Sequence, residues 1–211
     1  VGEVRETVRL VLAALERVHA SGHTLAVHSP RHWMRFPNGW KHIKAEALAP
    51  AGAVHELAAP GEPLYRAPEY AAAVAAGRAA VPLTPAMDVW AVALICLELI
   101  LPLPLFEADR DAAAVRDTGA GAGVGAPHAF FGALAHAPEP VVLPAAVTEF
   151  SASFADLMRG MLERDPLMRL TAVAALAHPF FTSAAPDSLS AVQHPAAMHA
   201  QVASLAWDPL V

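Results

Sequence analysis

The sequence holds a single cysteine in 211 residues. A lone thiol can close no disulfide within the chain, which excludes a small secreted domain stapled by bridges. Cys96 lies inside an apolar run, where a buried core thiol is expected. No Lys- or Arg-rich run occurs either, and the formal net charge is −6. That balance offers no electrostatic footprint for nucleic acid, so no nucleic-acid partner is expected. Long uninterrupted apolar runs are missing too. The strongest candidate span, Val89–Phe106, is preceded by Asp88, interrupted by Glu98 and ended by Pro102 and Pro104. A spanning helix needs about 20 predominantly apolar residues, so this segment reads as a buried core helix and no membrane association is expected. Arg5, Glu6 and Arg9 break up any early apolar stretch, so no signal peptide is expected. The first residue is Val rather than Met, which suggests a fragment. Four histidines, His19, His23, His28 and His32, fall close together without the tight paired spacing of a zinc site, and no metal is expected. No G-x-S-x-G elbow is present, and GAGAGVGAP (119–127) lacks the lysine of a phosphate-binding loop.

What is present suits one domain with a sizeable core. Hydrophobic residues make up 55% and charged residues 16%, unlike a disordered chain. Val4, Val8, Val11, Leu15 and Val18 predict an amphipathic helix, with Gly22 just beyond its end. Asn38-Gly39, flanked by Trp33, Met34, Phe36 and by Trp40, Ile43, predicts a β-hairpin. Residues 44–64 show no period and read as a loop. Thr84-Pro85 reads as an N-cap and first position of a helix over 85–101, apolar nearly all round. Residues 107–149 read as an irregular insertion. Ser151 caps a helix carrying Phe154, Leu157, Met158, Met161 and Leu162 on one face. A short helix from Thr171 to about Ala177 ends at Pro179, and the Ala/Ser/Pro-rich tail 183–211 is expected to be poorly ordered. The pattern predicts a mainly helical domain with a small β element near its start.

Three stretches resemble protein kinase signatures, in that family's order. Pro63-Leu64-Tyr65-Arg66-Ala67-Pro68-Glu69-Tyr70 is similar to the TPxYRAPE end of a kinase activation loop. Asp88-Val89-Trp90, opening the apolar helix, is similar to DVWSLG. Leu162-Glu163-Arg164-Asp165-Pro166-Leu167-Met168-Arg169-Leu170-Thr171, followed by His178-Pro179-Phe180-Phe181, is similar to LxxDPxxRxT…HPFF. The resemblance covers residue 4 to about 182, less the insertion. It implies a protein-kinase-like C-terminal lobe over 1–182 with the N-terminal lobe absent. It further implies a buried Glu69–Arg169 ion pair, Asp88 accepting backbone N–H groups of the catalytic loop, and Trp90 packed beneath the substrate-facing loop. Tyr65-Arg66 has two readings, a protein-docking surface or packing that seats Glu69.

The same resemblance shows what is missing. Phosphoryl transfer in the family uses an HRD aspartate as base, and an asparagine and the DFG aspartate as magnesium ligands. It also needs a lysine beneath a Gly-rich loop. Setting VHASG (18–22) against the family's LHSRG puts Leu25-Ala26-Val27 at HRD, His32 at the asparagine and Lys44-Ala45-Glu46 at DFG. The family positions for base and metal are thus occupied by Val27, His32 and Lys44. No aspartate precedes Asp88, so no other register restores them. Glu46 sits two positions late for a metal ligand. The chain therefore reads as a pseudokinase, a protein-binding scaffold or regulator with no cofactor expected. ATP and magnesium are implied only if the family activity is retained. The alternative is a fragment of a serine/threonine protein kinase whose N-terminal lobe lies outside this sequence. A third reading is a decaying gene product. Protein partners and an intracellular, cytoplasmic location are expected.

Overall fold

The computed structural model describes residues 1–25, 29–37, 39–44, 47–57, 63–117, 126–137 and 140–182. In chain order the elements are α1 (Gly2–Ala20), β1 (His23–Leu25), β2 (Trp33–Phe36), β3 (Gly39–His42), β4 (Leu48–Pro50), β5 (Val54–Glu56), α2 (Pro68–Ala75) and β6 (Ala80–Pro82). They continue with α3 (Pro85–Leu97), α4 (Glu107–Asp117), α5 (Ala126–His136), α6 (Ala145–Phe150), α7 (Ala152–Met161), α8 (Ala172–Leu176) and α9 (Pro179–Thr182). Single turns of 3-10 helix stand at Pro30–His32 and Pro63–Tyr65.

The apolar stripe of α1 buries Val8, Val11, Leu12 and Leu15. Gly22, at φ +76°, turns the chain out of the helix into β1, a conformation that favours glycine. At the centre of the molecule lies α3, whose residues from Asp88 through Leu94 are all buried. Its two valines past Asp88 are poor helix formers, each costing at most about 0.7 kcal/mol. Burying one returns about 1.5–3 kcal/mol, so packing decides the conformation. Neighbouring α1, α7 and β1 pack on this helix, and α5 packs on α2, the Phe131 ring lying 6.0 Å from that of Tyr70.

Cys96, 1% exposed in α3, has its thiol pushed up to about 12 by burial. An unfolded cysteine titrates near 8.5, so the native thiol is both shielded and protonated. A disulfide reagent should label Cys96 in denaturant and leave it essentially untouched in buffer. Rapid labelling of the native chain would contradict this packing.

The hairpin forms as expected, with Phe36 opposite Gly39 and Trp33 opposite His42. Gly39 is the first residue of β3 at φ +118°, while Asn38 lies outside the described residues. Ser151 accepts from the Phe154 amide at 3.1 Å and Thr171 from the Ala174 amide at 3.1 Å, capping α7 and α8.

Other expectations are corrected. Residues 44–64 are not all loop, since β4 pairs with β1 and β5 with β6, both antiparallel. Strands of three residues are too short to show a period, and their partners lie far off in sequence. Instead of one small β element, the described residues hold three two-stranded sheets. Helix α3 stops at Leu97 rather than 101. Pro102 disfavours helical geometry at Leu101, and the last amides tighten, Leu99 onto Cys96 and Ile100 onto Leu97. Thr84 occupies the N-cap, but its side chain makes no capping bond, because the Met87 amide is taken by the Thr84 carbonyl at 3.1 Å. The segment 107–149 is not irregular throughout, since α4, α5 and α6 lie in it. Its glycine-rich stretch concealed the helices on either side. Pro179 does not only end α8; it opens α9, where a missing amide costs nothing. Residues 118–125 and the tail 183–211 lie outside the described residues.

Candidate functional site

Two buried anchors hold the middle of the chain, and both grow from the ends of helices. The first is built on Arg169, in the turn between α7 and α8. That turn is set by Asp165, whose carboxylate accepts from the Leu167 amide at 2.9 Å and whose carbonyl accepts from the Arg169 amide at 3.0 Å. The guanidinium, fully buried, grips Glu69 at the start of α2 in a fork: Nη1 to Oε1 at 2.8 Å and Nη2 to Oε2 at 3.0 Å. Its other donors reach carbonyls: Nε to Glu163 at 2.7 Å, Nη1 to Ala86 at 2.8 Å and Nη2 to Arg164 at 3.1 Å. Those bonds use all five guanidinium N–H groups, which is the condition for burying this charge without a large penalty. The Trp90 ring lies against the same guanidinium, 5.1 Å from centroid to Cζ. Trp90 itself is stacked with Phe106 at an interplanar angle of 7°.

The second anchor is Asp88, 1% exposed, in the first turn of α3. Its Oδ2 accepts from the Leu25 amide at 2.9 Å and bonds His19 Nε2 at 2.9 Å. One carboxylate thus ties α1 and β1 to α3, at the segment the resemblance aligns with the catalytic loop. The histidine spacing in the sequence, which does not suit a metal site, points to no task for His19, yet here it is a structural partner of Asp88. Its position in VHASG, aligned with the histidine of LHSRG, held the signal that it has a structural task.

Tyr65 and Arg66 are both buried. The Tyr65 hydroxyl donates to Glu98 Oε1 at 2.6 Å, and Arg66 lies over the Tyr70 ring at 4.4 Å. Side chains so enclosed seat the segment before Glu69 and do not offer a docking surface. With Leu25, Met87 and Asp88 they line a small cavity beside the second anchor. His55 borders this cluster, its ring 6.3 Å from Tyr70. Burial, aided by the Arg66 charge, holds its pKa below the ordinary value, and burial likewise lowers that of Arg66.

Of the positions aligned with base and metal ligands, Val27 lies outside the described residues, as does Glu46. His32 sits in the 3-10 turn before β2, its ring 5.6 Å from that of His42. Lys44 follows β3. Magnesium seeks oxygen ligands in near-octahedral geometry. An imidazole and an ammonium do not supply them, so these residues do not fit the ion. Among the described residues no three His, Cys, Asp or Glu stand together to hold a metal, and no helix is long and apolar enough to cross a membrane.

Solved structures with the same fold include the twitchin kinase region of C. elegans (Fn31-NL-kin-CRD-Ig26), at TM-score 0.66 and 20% identity over 96% of this chain and 33% of that one. A second is the C. elegans twitchin kinase fragment described as autoregulated protein kinase and immunoglobulin domains, at TM-score 0.67 and 22% identity over 96% and 41%. The chain therefore spans less than half the length of either, and identities this low speak for the fold alone. No curated protein matches the sequence. The protein kinase domain family matches residues 51–181, well over half of the chain and inclusive of both Glu69 and Arg169. The chain belongs to the protein kinase domain family.

Proposed function

We propose that this chain is the C-terminal lobe of a protein-kinase-like domain that has lost phosphoryl transfer and acts as a pseudokinase, a scaffold or regulator for other proteins. One observation carries the reading: the positions aligned with base and metal ligands hold Val27, His32 and Lys44, in a chain with no aspartate before Asp88. A hydrocarbon cannot take the substrate proton, and an ammonium at the metal position repels a divalent cation. The anchors around Glu69, Asp88 and Arg169 support the same reading, since their residues are those a lobe needs for its shape. Calorimetric and thermal-shift titration of the chain with ATP, with and without magnesium, tests it. No shift at saturating ATP is expected. A saturable, magnesium-dependent shift would overturn the reading and point to a carboxylate such as Glu46 having taken over the metal.

A second reading rests on the family match over residues 51–181, which equally suits a fragment of a serine/threonine protein kinase whose ATP-binding lobe lies outside this sequence. Fusing a Gly-rich, lysine-bearing kinase N-terminal lobe to the chain separates the two. Phosphorylation of a generic basic substrate would favour the fragment.

A further inference from the structure

The β2–β3 hairpin is unlike the rest of the molecule. The chain as a whole is acidic, yet no Asp or Glu occurs between Glu16 and Glu46, and both of its lysines, Lys41 and Lys44, lie in that interval. Alternation along the strands sorts the side chains. Met34 and Phe36 share one face with Lys41, which stands directly across from Met34. Both apolar side chains are exposed, Met34 at 41% and Phe36 at 36%, and Ile43 just past β3 is exposed at 45%. The Lys41 ammonium lies over the Phe36 ring at 5.1 Å. Arg35, pointing to the opposite face, is exposed as well. Among the described residues Arg35, Lys41 and Lys44 form no ion pair, and no third strand joins the sheet.

We infer that this hairpin is a docking edge for an extended acidic segment of a protein partner, with apolar residues alternating between its carboxylates. Three features of the surface select that chemistry. Among the described residues no strand pairs with the outer edge of β2. The Trp33 amide there is taken by the Pro30 carbonyl, but the backbone around Arg35 is left as the template to which an added strand pairs. Exposed apolar side chains on one face suit every second residue of such a strand. Of the uncompensated cations, Arg35 lies on the face that the intervening carboxylates would take, and Lys41 and Lys44 add to the positive field that would steer their approach. Nucleic acid is the less favoured polyanion, because it would meet the net negative charge of the whole chain beyond this short strip. The inference rests on the protein-binding reading and gives it a partner chemistry.

The test is fluorescence anisotropy of the full chain with a labelled synthetic peptide alternating Glu with Val and Phe. A Lys-for-Glu peptide and a short single-stranded oligonucleotide are run beside it. The acidic peptide is expected to bind with a Kd on the order of 10 μM, as transient interfaces of this size do, and to weaken with salt. Arg35→Glu combined with Lys41→Glu should weaken it about tenfold or more, and Phe36→Ser should weaken it at unchanged net charge. All three positions are exposed, so unchanged circular dichroism should accompany each loss. Lack of binding, indifference to these substitutions, or equally tight oligonucleotide binding would overturn the inference. So would a Phe36-dependent dimer in sedimentation velocity, which would make a second copy the occupant. ATP titration of the same samples keeps the two readings apart: absent peptide binding with no ATP shift sinks the docking edge alone, whereas a magnesium-dependent ATP shift sinks the scaffold reading.

Discussion

Arg169→Ala should lower the unfolding free energy by about 3–5 kcal/mol, the cost of breaking a buried ion pair at one partner. The substitution strands the Glu69 carboxylate, only 19% exposed, and removes the donors serving the carbonyls of Ala86, Glu163 and Arg164. Glu69→Gln should be costly as well, because it leaves the fully buried Arg169 charge without its counter-ion and sets an NH2 donor against one arm of the fork. Denaturant unfolding followed by circular dichroism reads both. A near-neutral Arg169→Ala would mean that the fork to Glu69 contributes nothing to the fold.

Trp90→Ala should be comparably severe, about 3–5 kcal/mol, because it leaves a large cavity at a fully buried position in the centre of α3. The indole N–H has no hydrogen-bond partner among the described residues, so Trp90→Phe keeps the stack on Phe106, sheds that unpaired donor and should be far milder. Because the ring also lies against Arg169, the double alanine variant should lose less than the sum of the singles. Strict additivity in a double-mutant cycle would show that the two side chains do not act together.

These anchors were legible in the sequence because their residues are chemically exacting. Arg169 and Glu69 stand 100 positions apart, yet each sits in a signature whose wording few other tasks explain. Trp90 was only half legible: its burial followed from an apolar helix, but its partner Phe106 and its contact with Arg169 did not. The His19–Asp88 bond escaped because a histidine carries no mark of the carboxylate it will meet. Strands β4, β5 and β6 escaped for a different reason. Each is three residues long and owes its conformation to a partner strand remote in sequence, so its local composition says little. Helices α4 and α5 were hidden because the glycine-rich stretch between them breaks any continuous helical period across 107–136.

The first helix packs on the last two, α1 against α8 and α9, with Arg5 over the Phe180 ring at 5.1 Å. Two segments remote in sequence are therefore fastened together, and α1 cannot complete its contacts until α8 and α9 have been synthesised. On the ribosome α1 can settle on β1, β3 and α3 early, but the side that receives α8 and α9 stays uncovered until nearly all of the described chain has emerged. Contacts that close so late favour slow, all-or-none assembly over stepwise growth. A chain cut short of α8 would be left with an open seam along α1, a surface of the kind that chaperones and proteases act on.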